Sequence, residues 1–251
     1  MWETIRRWLI GDLGIQGEFQ YQAIHLNSVL AVAAACLIVA LIGRSHKAED
    51  RGKQQLLRGI AIFQLAFEVL WRLIYVTIKG DGILCWWPLY PCNLGGILLP
   101  IIALCNWERG KKMFYLFGFV GGVLTFAIPD GIFCRDVMSF PILKSVLQHT
   151  GILMIPILEY CMGTFRPTLK HMGWTVGGLL IHLFNCEVIT RLLGFTGDYM
   201  FFRSGLPFVI PGVPQAITLS VFALLVLVGL CFACDPKGSW DVLRPRKKKQ
   251  A

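Results

Sequence analysis

Residues 209–234 read VIPGVPQAITLSVFALLVLVGLCFAC, a run without a single Asp, Glu, Lys or Arg. About 20 apolar residues in a helix cross the hydrocarbon core of a bilayer, so this run predicts a membrane span. Residues 25–43, HLNSVLAVAAACLIVALIG, repeat the pattern near the other end of the chain. Between them, apolar runs of similar length fall at about 55–78, 84–105, 112–128, 141–162 and 170–187, which makes seven spans. Composition points the same way: of 251 residues, 55% are hydrophobic and 16% charged, with a mean hydropathy of +0.61. Soluble domains carry about 25% charged residues. The predicted fold class is therefore all-α, a polytopic membrane protein built as a seven-helix transmembrane bundle. Residues 1–24 form an N-terminal interfacial segment, 25–234 the transmembrane domain and 235–251 a basic cytoplasmic tail. The short connections leave no room for a soluble catalytic or nucleic-acid-binding domain, so any chemistry uses residues within the bilayer or at its edges.

The formal charge of +9 reads as a topology signal. With the N-terminus outside, fifteen Lys and Arg fall in cytoplasmic segments, six in external ones and three within spans. Basic residues collect on the cytoplasmic side, so the N-terminus is expected outside and the C-terminus inside. Trp2, Ile5, Trp8 and Leu9 recur at helical spacing beside Arg6 and Arg7, the pattern of a short amphipathic helix lying on the interface. This run is too short for a secretory signal, and no small-residue cleavage site follows it. Lys248 and Lys249 fit either a basic tail facing anionic lipid or a eukaryotic retrieval signal. The expected location is a bacterial cell membrane, or the endoplasmic reticulum membrane if the source is eukaryotic.

The nine cysteines show no framework spacing. Cys231 and Cys234 lack the second pair a zinc site needs, so no metal and no cofactor are expected. Cys85 and Cys134 lie near the outer surface, within reach of a disulfide.

Ionisable groups inside a bilayer are costly and mark sites by default. His25, Glu68, Arg72, Lys144, His149, Glu159, His182 and Glu187 lie in or at the ends of spans. Glu68 and Arg72, one helical turn apart, read as a charge pair or as a substrate contact. In the third span, Trp86-Trp87-Pro88-Leu89-Tyr90-Pro91-Cys92-Asn93-Leu94-Gly95-Gly96 places a thiol at a proline kink beside an amide. Gly95 and Gly96 leave room for another helix or an acyl chain. A thiol nucleophile needs a base. His149, in Gln148-His149-Thr150, lies about eight residues past the start of span five, as Cys92 does in span three. At 1.5 Å per residue both sit roughly 12 Å deep. Matching depth permits a Cys–His pair, while a packing thiol and a hydrogen-bonded histidine stay open.

At these residues the chain resembles the YwaF / transmembrane protein 164 family of multi-pass membrane proteins. The likeness lies in Pro91-Cys92, in Gln148-His149 with the apolar run ending at Pro156, and in Phe165-Arg166-Pro167-Thr168. His182 and Asp198-Tyr199-Met200-Phe201 add to it, over about 60 to 235. Asn93 stands where eukaryotic members have a histidine, and Asp198 where an asparagine is usual. The eukaryotic branch includes an acyltransferase that moves a fatty acyl chain between glycerophospholipids with an intramembrane Cys and His. The resemblance implies Cys92 as nucleophile and His149 as its general base, working through an acyl-thioester. Asn93, a backbone amide freed near Pro91, or Gln148 would stabilise the oxyanion. Glu68, Arg72, His182, Asn185, Glu187, Asp198 and Tyr199 would line or support the cleft. The implied partners are membrane phospholipids and lysophospholipids. The competing reading is a transporter, or a membrane protein that binds a small ligand or lipid without catalysis.

Overall fold

The computed structural model describes residues 1–80, 82, 86–129, 131–200, 210 and 212–243. Among them the elements are helical: α1 (Trp2–Ile10), α2 (Ala23–Arg44), α3 (Asp50–Ile74), α4 (Pro91–Cys105), α5 (Glu108–Ala127), α6 (Phe140–Cys161), α7 (Met172–Leu183), α8 (Thr190–Leu192), α9 (Gln215–Cys234) and α10 (Pro236–Leu243). A π-turn, Tyr75–Lys79, prolongs α3, and a second, Phe184–Ile189, joins α7 to α8. An isolated bridge between Gln16 and Arg135 is the β-type pairing among the described residues. Cys85, the start of the run at 209 and residues 244–251 of the basic tail lie outside the described residues.

A helix stands at each of the seven expected positions. Five are long and apolar enough to cross a membrane: Ala23–Arg44, Asp50–Lys79, Phe140–Cys161, Leu169–Leu192 and Gln215–Cys234. The other two differ for readable reasons. Helix α5 opens with Glu108, Arg109, Lys111 and Lys112. Helix α4 has only 15 residues because it starts at Pro91, not at 84. Proline at the first helical position is favoured, and it pushes the residue before it to extended backbone. Tyr90 is extended, with φ −91° and ψ 156°.

Helix α6 is the hub, packing against α2, α3, α4 and α5. Of its most apolar window 61% is buried, against 11% in α9, so α6 is central and α9 peripheral. Leu99, Ile152, Ile155, Leu158, Phe114 and Tyr115 form the core of α4, α5 and α6. Outward, Leu30, Leu41, Leu180 and Leu225 are each more than half exposed. Apolar surface on this scale suits lipid, not water. Small residues let the helices approach, as membrane packing requires: a Cβ on Gly178 of α7 would stand 2.2 Å from the Met113 carbonyl oxygen of α5.

Several of the charged or polar residues in the spans are neutralised within the fold. His25 is saturated, its Nδ1 accepting from the Tyr21 N–H at 3.0 Å and its Nε2 donating to the Phe126 carbonyl at 2.9 Å. At the other end of the bundle, Lys111 pairs with Glu159 at 2.9 Å and Glu108 at 3.0 Å. Glu159 also accepts from Tyr115 and Thr164. Glu187 pairs with Arg191 at 2.5 Å. The N-terminal segment is docked: the Trp8 indole donates to the Met138 carbonyl at 2.7 Å. The Gly17 and Phe19 N–H groups bond the Cys134 and Phe133 carbonyls.

Candidate functional site

The site begins with the segment leading into α4. Prolines 88 and 91 remove two backbone donors, and the carbonyls nearby find partners on the second π-turn. Asn185 donates from Nδ2 to the Pro88 carbonyl at 2.7 Å and accepts from the Trp87 indole at 2.9 Å. The Cys186 thiol bonds the Leu89 carbonyl at 3.1 Å. Asn185 therefore holds the lead-in segment and is not part of the cavity lining. Cys92 falls in the first turn of α4, where the Asn93 and Leu94 N–H groups donate to the Tyr90 carbonyl at 3.0 and 3.1 Å. His149 lies much further along α6 than Cys92 does along α4, so helical register does not set them at equal depth. The irregular lead-in carries Cys92 to the same cavity all the same.

That cavity, about 720 Å³, is walled by apolar groups from α4, α5, α6, α7 and α9, including Leu99, Ile152, Leu179, Phe222 and Leu227. Cys92, Asn93, Lys144, Ser145, Gln148, His149 and His182 supply polar lining. The Gln148 amide reaches across from α6 to α4, donating to the Cys92 carbonyl at 2.7 Å and to Asn93 Oδ1 at 3.3 Å. Lys144, one turn earlier, donates to Gln148 Oε1 at 2.5 Å and to Asn93 Oδ1 at 3.2 Å. Its Nζ also lies 3.9 Å from Glu68 Oε1 and 4.3 Å from the centre of the Trp71 ring. Glu68 pairs with Arg72 and accepts from the Trp71 indole at 3.0 Å. Gly96 keeps this network possible, since a Cβ there would meet Gln148 Nε2 at 2.6 Å and Glu68 Oε1 at 3.0 Å.

The buried His149 ring contacts the Ser145 carbonyl through Nδ1 at 2.7 Å, and its Nε2 has no protein partner. A carbonyl only accepts, so Nδ1 carries the proton and Nε2 presents a bare lone pair. His182 is equally buried, packed on Phe114 and Phe117, and its Nδ1 is also unpartnered. The Cys92 thiol has Asn93 Oδ1 at 3.9 Å. No hydrogen bond joins Cys92 to His149.

Residues 19–232 match the TMEM164 family. The chain belongs to the TMEM164 family. No curated protein and no solved structure matches it. In this TMEM164-family chain, Cys92, Asn93, Gln148, His149 and His182 line one cavity, whereas Glu68 and Arg72 stand behind its wall. Tyr199 packs edge-on against Tyr90 at 5.1 Å, and the half-buried Asp198 precedes it outside the cavity lining. Two contributors escape a search for nucleophiles and bases: Lys144 and Ser145. Their signal is the one-turn spacing of Lys144 to Gln148 and of Ser145 to His149 on a single helix. Among the described residues no group of three or more His, Cys, Asp or Glu could hold a metal ion.

Proposed function

We propose that this protein is an integral membrane acyltransferase that moves a fatty acyl chain between phospholipids through a thioester on Cys92, with His149 as general acid and base. One observation carries the reading: His149, whose buried Nε2 has no protein partner, lines the same apolar cavity as Cys92. A histidine kept only for packing would have that nitrogen bonded. The volume falls within the roughly 300–1,000 Å³ typical of small-molecule sites, and its apolar wall suits an acyl chain. In the first half-reaction His149 Nε2 takes the Cys92 thiol proton as the sulfur bonds to the ester carbonyl carbon. The ester C–O bond breaks, and the lysophospholipid oxygen leaves with a proton supplied by His149. In the second, His149 takes the proton of an acceptor lysophospholipid hydroxyl, whose oxygen bonds to the acyl carbon and displaces the sulfur, and the proton returns from His149 to the thiolate. The Asn93 amide, next to Cys92, suits oxyanion contact through its Nδ2, while Gln148, whose two N–H groups are committed to the Cys92 carbonyl and Asn93 Oδ1, holds Asn93 in place. In the membrane, the helices at the seven apolar positions all span, with the N-terminus outside and the C-terminus cytoplasmic. The membrane is that of a bacterial cell.

The test offers purified protein in proteoliposomes a labelled phospholipid and an unlabelled lysophospholipid. Labelled chain should appear on the acceptor, and Cys92→Ala or His149→Gln should lower its rate at least 100-fold, the scale of general acid–base contributions. Transfer that survives both substitutions defeats the proposal. A solute crossing the vesicles with no acyl transfer would establish the transporter reading instead.

A further inference from the structure

The cavity changes character along the bundle axis. Cys92, Asn93, Gln148 and His149 line it at one level, tied across α4 and α6 by the Gln148 bond to the Cys92 carbonyl at 2.7 Å. Ile152 lies one helical turn further along α6, about 6 Å inward. There it borders glycines on two neighbouring helices. A Cβ on Gly95 of α4 would stand 3.8 Å from Ile152, one on Gly118 of α5 3.7 Å and one on Gly122 of α5 3.5 Å. Gly118 and Gly122 serve packing, since a Cβ on the first would press on Leu99 and on the second on Leu153, each at 2.9 Å. Gly121, between them on α5, is different. It lines the cavity, yet a Cβ there would meet no atom within 4 Å. No neighbour requires a glycine at this position, and a helix interior disfavours one. The space it leaves empty belongs to the cavity.

Two buried histidines bracket Gly121 along α5. The His149 ring lies 6.1 Å from that of Phe126, and the His182 ring 4.8 Å from that of Phe117. Phe117 and Phe126 are nine residues apart, about 14 Å along the helix, and Gly121 falls between them. His149 and His182 are 3% and 1% exposed, both line the cavity, and each keeps one ring nitrogen without a protein partner. Buried polar atoms in native folds have partners, so the two bare nitrogens point to an occupant of the space between them. Further inward the wall is Phe117, Leu179 and Leu227, an apolar lining beyond a polar entrance.

We infer that Gly121 is the acyl-chain gauge of this site. The chain, with its carbonyl at Cys92, runs inward between Ile152 and the bare α5 backbone at Gly121 and ends against Phe117, Leu179 and Leu227. Gly121 touches no reacting atom; it determines specificity by leaving the path open. The inference rests on the acyl-transfer reading and names its substrate class more closely: donors whose chains are long enough to pass Gly121.

Two ratios test it. Transfer to lysophospholipid from dipalmitoyl- and from dibutanoyl-phosphatidylcholine is compared in mixed micelles. In parallel, the full chain in detergent is treated with N-hexadecylmaleimide or N-ethylmaleimide, and labelling of the Cys92 peptide is followed by mass spectrometry, which needs no turnover. In Gly121→Leu both long-to-short ratios should fall at least about 10-fold from the parent's, the scale on which a pocket discriminates by methylene groups. Gly121→Ala should fall between the two. Val123, 44% exposed on the same helix, supplies the control: Val123→Leu should leave both ratios within about 2-fold, as surface substitutions do. A loosened fold lowers long and short probes together, so a changed ratio is not a folding effect. Either ratio unmoved in Gly121→Leu, or moved as far in Val123→Leu, overturns the inference. Transfer that proceeds while both ratios ignore Gly121 sinks this inference alone. A labelling ratio that obeys Gly121 in a protein with no transfer sinks only the acyltransferase reading.

Discussion

Adjacent glycines on α4 should respond to alanine in opposite ways. A Cβ at Gly96 would stand 2.6 Å from Gln148 Nε2, 3.1 Å from Gln148 Cγ and 3.0 Å from Glu68 Oε1. Gln148 must then move, although it bonds the Cys92 carbonyl, Asn93 and Lys144. Its departure strands a buried carbonyl and a buried ammonium donor. Each stranded group costs about 1–3 kcal/mol. Hydrogen bonds inside membranes fall toward the lower part of that range, so the pair loses about 2–4 kcal/mol. Alanine in place of glycine in a helix returns about 1 kcal/mol, for a net loss of about 1–3 kcal/mol. At Gly95 the nearest atoms would be 3.8 and 3.9 Å away, an ordinary contact, so only the helix gain remains. Unfolding of each variant by denaturing detergent in mixed micelles reads these numbers, with acyl transfer measured on the same preparations. Gly96→Ala should unfold earlier and lose transfer, while Gly95→Ala should match or exceed the parent in stability. Equal stability in the two variants, with transfer retained in Gly96→Ala, would refute the network's role.

Two further predictions concern packing away from the cavity. Gly178→Ala forces a Cβ to within 2.2 Å of the Met113 carbonyl oxygen; α7 must shift off α5, at about 1–3 kcal/mol or more, visible as a lowered unfolding midpoint. Lys111→Met leaves the buried Glu159 carboxylate without its cation and should cost about 3–5 kcal/mol. Lys111→Met combined with Glu159→Leu should regain more than half of that in the same assay.

The family was legible in short motifs such as Pro91-Cys92 and Gln148-His149, and the apolar helices were legible because a bilayer imposes length and hydropathy on any span. The start of α4 was not, since Trp86-Trp87-Pro88-Leu89-Tyr90 is as apolar as a helix and only the prolines argue against one. Their freed carbonyls are satisfied by Asn185 and Cys186, about a hundred positions away, and no local pattern reveals such a partner. The polar exceptions were visible as residue types but not as roles. His25 and Glu159 resolve into saturated struts, while His149 keeps a bare nitrogen. Lys144 was read as one more costly charge, because its meaning depends on Asn93, Gln148 and Glu68 arriving from two other elements and from its own next turn.

The acyl-thioester tests the proposed chemistry most directly. Protein quenched in acid during turnover with a labelled phospholipid should yield a Cys92 peptide heavier by one acyl group, released by neutral hydroxylamine and missing from Cys92→Ala. A preparation that transfers acyl chains while its Cys92 peptide stays unmodified would contradict the mechanism.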